Sequence, residues 1–168
     1  RDAARRDPLT QVYNRNAFHN EVEQYITMPD DGHSGVLMLL DIDNFKSIND
    51  RFGHMEGDKV LKYLTNLLQK TFRSGDLVGR LGGDEFMVFL KGYVCRATLE
   101  ERLKILAEAL RQYELLPITC SIGITHVSSR GFSYDESLRQ ADTALYRSKK
   151  ENKGGYCYAE GLGKTDGV

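Results

Sequence analysis

Two acidic clusters carry most of the chemistry open to this chain. One is Asp41-Ile42-Asp43-Asn44-Phe45, at the end of an apolar run from Val36 to Leu40. The other is Gly82-Gly83-Asp84-Glu85-Phe86, between strand-like runs from Asp76 to Leu81 and from Phe86 to Lys91. A Gly-Gly-Asp sequence alone is an ordinary hairpin turn. The second cluster changes its meaning. If the strand from Val36 pairs with the hairpin, Asp41 and Asp84 come within reach of one or two divalent cations. Mg²⁺ takes oxygen ligands, commonly one or two carboxylates plus substrate phosphates. Two such metals can orient an attacking oxygen and neutralise a leaving phosphate. Asp41 read alone is a strand-end cap of the following helix; the paired cluster favours the metal. For Asp43 a cap or supporting role stays open beside ligation.

A third segment, Asn49 to Asp58, carries groups suited to reading a base. A carboxylate accepts from the N1 and N2 donors of guanine, and an Asn amide donates to its acceptors. Asp58 therefore favours guanine over adenine, unless it serves as the N-cap of a helix from Lys59. His54 beside Gly53 touches phosphate or closes the turn. Lys149 and Lys153, four residues apart at the end of the last helix, can aim at one phosphate chain. Taken alone they read better as a solvated terminus complementing the helix dipole.

Two resemblances are set aside. Asp41 to Lys46 begins like a calcium-binding loop, but Phe45 replaces a ligand and Lys46 stands where Gly is required. Gly163-Lys164-Thr165 resembles the end of a phosphate loop, but Tyr158 stands where its first Gly is needed.

The elements that must position these residues follow from periodicity. Asn14 to Ile26 is a helix, with Phe18, Val22 and Ile26 on one face. Val36 to Leu40 is a strand covered on both faces. Phe45 to Phe52 is a short helix stopped near Gly53. Asp58 to Phe72 is amphipathic, burying Val60, Leu61, Leu64, Leu67, Leu68 and Phe72. Leu99, Leu103, Leu106 and Leu110 mark another helix. Ile118 to Val127 alternates as a strand. Asp135 to Lys150 is the last long helix, and Tyr156 to Tyr158 a short final strand. This order predicts an α/β (α+β) sandwich of the split βαβ, ferredoxin-like kind, a mixed sheet with helices largely on one side.

Composition sets the class. At 168 residues the chain supports one domain, with 40% hydrophobic and 28% charged residues. A net charge of −1 gives no electrostatic case for nucleic acid or a membrane surface. No apolar run approaches the roughly 20 residues that span a bilayer. Three scattered cysteines, Cys95, Cys120 and Cys157, make neither a disulfide framework nor a zinc site. A cytoplasmic location fits, any membrane anchor belonging to upstream segments. Residues 1–6 read as the end of a connector from an upstream domain or as a tag remnant, residues 7–160 as the one folded domain, and residues 161–168 as a loose Gly-rich tail.

The chain resembles GGDEF-family diguanylate cyclase domains over roughly Asp7 to Tyr158. The matching elements are Asp7-Pro8-Leu9-Thr10 with Tyr13-Asn14-Arg15, then Asp41 to Lys46. Asn49-Asp50, Gly53-His54 and Gly57-Asp58 follow, then Arg80 to Phe86. Last come Ser121-Ile122-Gly123 and Ala141 to Tyr146 with Lys149. No matched catalytic position departs from the pattern. The resemblance implies a fold similar to the polymerase palm and class III nucleotidyl cyclases. It implies that two domains, each holding one GTP, meet face to face. The 3′-hydroxyl of one GTP then attacks the α-phosphate of the other, and repetition closes cyclic di-GMP.

By the same resemblance, Asp41, the Ile42 carbonyl and Asp84 bind Mg²⁺, for which Mn²⁺ can substitute, at two per half-site. Asp84 takes the hydroxyl proton, Glu85 is a further catalytic or metal candidate, and Lys46 stabilises transition-state charge. Asn49 and Asp58 read guanine; Phe45, His54, Lys149 and Lys153 contact GTP; Gly82 and Gly83 let the backbone approach phosphate. Arg73-Ser74-Gly75-Asp76 matches the family's RxxD product-inhibition pattern, in which Arg grips guanine edges and phosphate; the bland alternative is a solvated turn. The implied partners are GTP, cyclic di-GMP, a second copy of the domain and an upstream sensory or receiver domain. The rivals are a GTP or cyclic di-GMP sensor without turnover, a cyclase with another purine product, and a structural dimerisation module.

Overall fold

A computed structural model describes residues 3–29 and 32–159. Arg1 and Asp2, Asp30 and Asp31 after the first helix, and the tail with Gly163-Lys164-Thr165 lie outside the described residues. Helix α1 (Arg15–Ile26) starts where the Asn14 side chain accepts from the backbone N of Ala17 at 2.9 Å. It is followed by β1 (Ser34–Ile42), α2 (Phe45–Phe52), α3 (His54–Thr71), β2 (Leu77–Gly82) and β3 (Glu85–Lys91). Then come α4 (Arg96–Arg111), β4 (Cys120–Ser128), α5 (Tyr134–Glu151) and β5 (Tyr156–Tyr158). Ahead of α1, Ala3–Arg5 form one 3₁₀ turn, and Arg6 bridges Tyr13.

The strands make one mixed sheet in the order β2-β3-β1-β4-β5, antiparallel throughout except for the parallel β4-β5 pair. The expected α+β sheet is present. Its helices are not largely on one side, however, and the continuous apolar run of β1 is the reason. Val36, Met38, Leu40 and Ile42 face one cluster, built with α2, α3 and α4. Leu37 and Leu39, pointing the other way on the pleat, face a second cluster built with α1 and α5. A strand apolar at every position needs cover on both faces, and the five helices divide to supply it.

One packing detail sets the site. A Cβ on Gly123 of β4 would stand 2.1 Å from the Ala141 carbonyl oxygen and 2.3 Å from the Leu145 backbone nitrogen. Only glycine lets α5 lie this flush on β4. The close approach brings the end of α5 over the end of β1.

Candidate active site

Asp41 is the last but one residue of β1, in register with Glu85 of β3 on one side and Ser121 of β4 on the other. Two residues, Gly83 and Asp84, turn β2 into β3, with Gly82 paired to Glu85 across a bulge. Gly82 and Gly83 have φ of +145° and +53°, backbone regions open mainly to glycine. The backbone N of Ile42 donates to the Asp84 carbonyl at 3.3 Å, which lashes the turn to the end of β1. The two acidic clusters therefore meet, as their strand-end positions require.

The charge balance there is uneven. Asp41 is buried, and its Oδ1 meets no donor. The nearby carboxyl of Asp84 is itself an acceptor and can bond Asp41 only by holding a proton. Accordingly the Asp84 carboxyl is pushed up to about 7, first by burial and then by the hydrogen bond and charge of Asp41. Glu85 is raised as well, by burial and then by Asp41, against the pull of Lys149. Lys149 of α5 donates to Asp41 Oδ2. Burial works against its ammonium, but the bond to Asp41 and the charges of Asp41, Asp84 and Glu85 outweigh that and raise it. Lys153, two residues beyond α5, donates to the Asn44 side chain at 3.0 Å. The lysines, which spacing alone reads as a solvated terminus and the family resemblance as GTP contacts, are engaged with the acidic loop.

Among the described residues no group of three or more His, Cys, Asp or Glu side chains gathers into a self-sufficient metal cage. Two carboxylates with an orphaned buried oxygen suit Mg²⁺, which leaves the remaining positions to water and phosphate. Asp43 is occupied elsewhere. It accepts from Thr119 Oγ1 and Ser121 Oγ, each at 2.7 Å, and it makes no helix cap. Its role is to fix the end of β1 to β4.

Sequence reasoning gave Arg80 no role. Its guanidinium donates to the Gly83 carbonyl at 3.0 and 2.6 Å and pairs with Asp7 at 3.2 Å. Asp7 in turn accepts from the backbone N and hydroxyl of Thr10 at 2.8 and 2.7 Å. Burial tends to raise the Asp7 carboxyl, but these bonds and Arg80 hold it below the usual value. Asp7 and Arg80 both stood in the matched motifs, though only the folded chain joins them.

The base-reading segment forms a helical corner. Gly53, at φ +91°, ends α2 and starts α3, so α3 begins at His54 rather than Asp58. Asp58 lies one turn into α3, is exposed and does not cap it. Asn49 Oδ1 is buried without a partner, and a Cβ on Gly57 would stand 1.9 Å from it and 3.2 Å from Phe45 Cζ. Asn49, Phe45 and Gly57 thus converge beside Asp58. Lys46, in the first turn of α2, and His54, at the start of α3, are both exposed.

Arg73 and Asp76 lie apart from this site. Asp76 accepts from the backbone N of Arg73 at 3.0 Å and of Lys91 at 3.1 Å, and its side chain is 2% exposed. Arg73 is 57% exposed and donates to the Lys91 carbonyl at 2.9 Å. A cleft of about 490 Å³ runs past both, bordered by Arg6, Gln69 and Lys91.

A family model described as "Diguanylate cyclase, GGDEF domain" matches residues 4–155. Over 160 residues the chain is 42% identical to diguanylate cyclase DgcP of Pseudomonas aeruginosa, covering 91% of this chain and 24% of that protein. It is 32% identical over 159 residues to cyclic di-GMP phosphodiesterase PdeR of Escherichia coli, covering 92% of this chain and 24% of that protein. The chain thus spans about a quarter of the length of these relatives. Among solved structures, the GGDEF domain of DgcB from Caulobacter crescentus in complex with c-di-GMP aligns with a TM-score of 0.81 at 27% identity. That alignment covers 94% of this chain and 96% of that one. With the sheet order, the acidic turn and the family match in agreement, this chain belongs to the GGDEF diguanylate cyclase domain family.

Proposed function

We propose that the domain joins two GTP molecules into cyclic di-GMP with release of two pyrophosphates. The observation that carries this reading is the buried, unpartnered Oδ1 of Asp41 beside the raised carboxyl of Asp84, at the ends of neighbouring strands. Asp41, Asp84 and the Ile42 carbonyl would hold Mg²⁺ or Mn²⁺, two per half-site. Bound there, the cations supply Lewis acidity and charge neutralisation at the phosphates.

The remaining chemistry belongs to the chain. The 3′-oxygen of one GTP forms a bond to the α-phosphorus of the other, and the bond from that phosphorus to the pyrophosphate oxygen breaks. Asp84 accepts the hydroxyl proton, with Glu85 beside it. Lys149 and Lys153 follow the triphosphate, and Lys46 steadies the charge that develops on it. His54, Gly82 and Gly83 lie along the phosphates, while Asn49 and Asp58 read guanine over Phe45. One domain carries one acidic pair and one base corner, so a second copy with its own GTP completes the reaction. Cyclic di-GMP returning to Arg73 and Asp76, beside their cleft, would feed back on the enzyme. An upstream sensory or receiver domain would set the pairing of the two copies. Among the described residues no helix is long and apolar enough to cross a membrane.

The test is GTP turnover with Mg²⁺ or Mn²⁺ on protein stripped of product, at several concentrations, reading pyrophosphate and nucleotide together. Cyclic di-GMP made at a rate steeper than linear in protein supports the dimeric cyclase. The likeness to a relative named as a phosphodiesterase keeps a second reading in play, a domain that senses GTP or cyclic di-GMP without turnover. GTP binding with no product at any concentration would establish it.

A further inference from the structure

The corner that would read guanine is held from behind by a part of the chain that no functional reading has used. Helix α3 begins at His54, and its N-cap residue, Gly53, has no side chain to cap it. An uncapped first turn leaves backbone donors unsatisfied and frays readily. That turn carries Glu56 and leads into Gly57 and Asp58. The Tyr113 hydroxyl, just past the end of α4, donates to Glu56 Oε1 at 2.6 Å. The other oxygen of Glu56 lies 3.7 Å from the Lys59 ammonium. Two turns further along the same face, the Tyr63 hydroxyl donates to the Ala109 carbonyl at 2.7 Å. The two tyrosine rings meet at 4.9 Å. Burial, then the bond to Glu56, pushes the Tyr113 hydroxyl up to about 12, so it stays a donor at neutral pH.

This strap anchors the first turn of α3 from outside the helix, through the Glu56 side chain. It fixes the turn whose Gly57 closes on Asn49. The segment that supplies Tyr113 continues to Thr119, which bonds Asp43 at the end of β1. A single connection thus braces both the base corner and the metal strand.

We infer that Tyr113, acting through Glu56, is a positioning residue that sets guanine selectivity at the Asn49–Asp58 corner. The inference rests on the base reading proposed above. Its test is binding of the α,β-methylene analogues of GTP and ATP with Mg²⁺, by calorimetry well below the melting temperature of every variant. The Tyr113→Phe variant keeps the ring and loses the bond. It should bind the GTP analogue about tenfold more weakly, the worth of one charge-assisted hydrogen bond, with ATP-analogue affinity unchanged. Glu56→Ala should match it, the double variant should add nothing further, and Glu56→Gln should restore most of the affinity. Unchanged guanine preference in Tyr113→Phe, or equal loss for both nucleotides, overturns the inference and leaves the base reading standing. A wild-type protein without guanine preference removes the base reading, and the inference with it.

Discussion

Lys149 donates its ammonium to Oδ2 of Asp41, joining the end of α5 to the end of β1 across 108 residues of sequence. The carboxylate is buried and the lysine only partly so. Lys149 therefore balances a charge that water cannot reach. Lys149→Met should destabilise the metal-free protein by about 1–2 kcal/mol, a buried-pair effect reduced for the lysine's exposure. Adding Mg²⁺ should recover much of that in a thermal melt, since the cation takes over the neutralisation. Turnover should fall about a hundredfold, the scale of losing one preorganised cation at a phosphate. A metal-free melt identical to wild type would show that the pair contributes nothing.

Asp84 and Asp7 predict opposite pH trends. The folded-state carboxyl of Asp84 is raised from its ordinary 3.8 to about 7. Across that window the folded chain holds a proton that the unfolded chain has released, so this group's contribution falls as pH rises. Asp84→Asn should therefore melt higher than wild type at pH 8, with the gap closing near pH 4. Asp7 is lowered, so its contribution is present above the ordinary value and lost as pH falls further; Asp7→Asn should cost most at neutral pH. Metal binding needs Asp84 deprotonated, so the Mg²⁺-induced rise in melting temperature should shrink below pH 7. Melts at several pH values with and without Mg²⁺ check all three.

The Arg80 clamp should matter more to rate than to substrate binding. Arg80→Ala frees the Gly83 carbonyl and leaves Asp7 without its charge partner. The turn that carries Asp84 then wanders. An expected loss of about tenfold in kcat, with a smaller change in KM, follows from misplacing a reacting group. Steady-state kinetics on Arg80→Ala and Arg80→Lys would read it, the lysine variant falling between because it cannot span both partners at once.

Arg73 and Asp76 lie 3.5 Å apart, Nε to Oδ2, yet substitutions at the two should read out differently at the proposed product site. Arg73→Ala removes an exposed guanidinium and should relieve product inhibition, shifting the cyclic di-GMP inhibition constant about tenfold or more while the melt moves little. Asp76→Ala strips two backbone donors, one exposed and one part-buried, of their acceptor and should cost about 1 kcal/mol. Inhibition curves paired with urea unfolding distinguish the two roles.

Much of this was written in the sequence, and the gaps have physical causes. The unbroken apolar run before Asp41 marks a central strand, and the acidic turn a hairpin, because both signals are local. The start of α3 was misplaced because Gly53 reads as a stop, whereas its positive φ both ends one helix and admits the next. Lys149 looked like a solvated helix end because spacing alone cannot reveal that Gly123 draws α5 onto the sheet. Asp43 stayed open because its partners, Thr119 and Ser121, arrive from more than seventy residues away. Tyr113 and Glu56 carry no motif at all; they become visible only when α4 packs on α3.

The two carboxylates also differ in how long they stay in place. Asp41 is part of a strand hydrogen-bonded to β3 and β4 along its whole length and sealed on both faces. Its backbone amide should therefore exchange with solvent among the slowest in the domain. Asp84 rides on a two-residue turn kept shut by one arginine and one backbone bond to Ile42, so it is released by a far smaller fluctuation. One half of the acidic pair has the lifetime of the fold, and the other has the lifetime of a clasp.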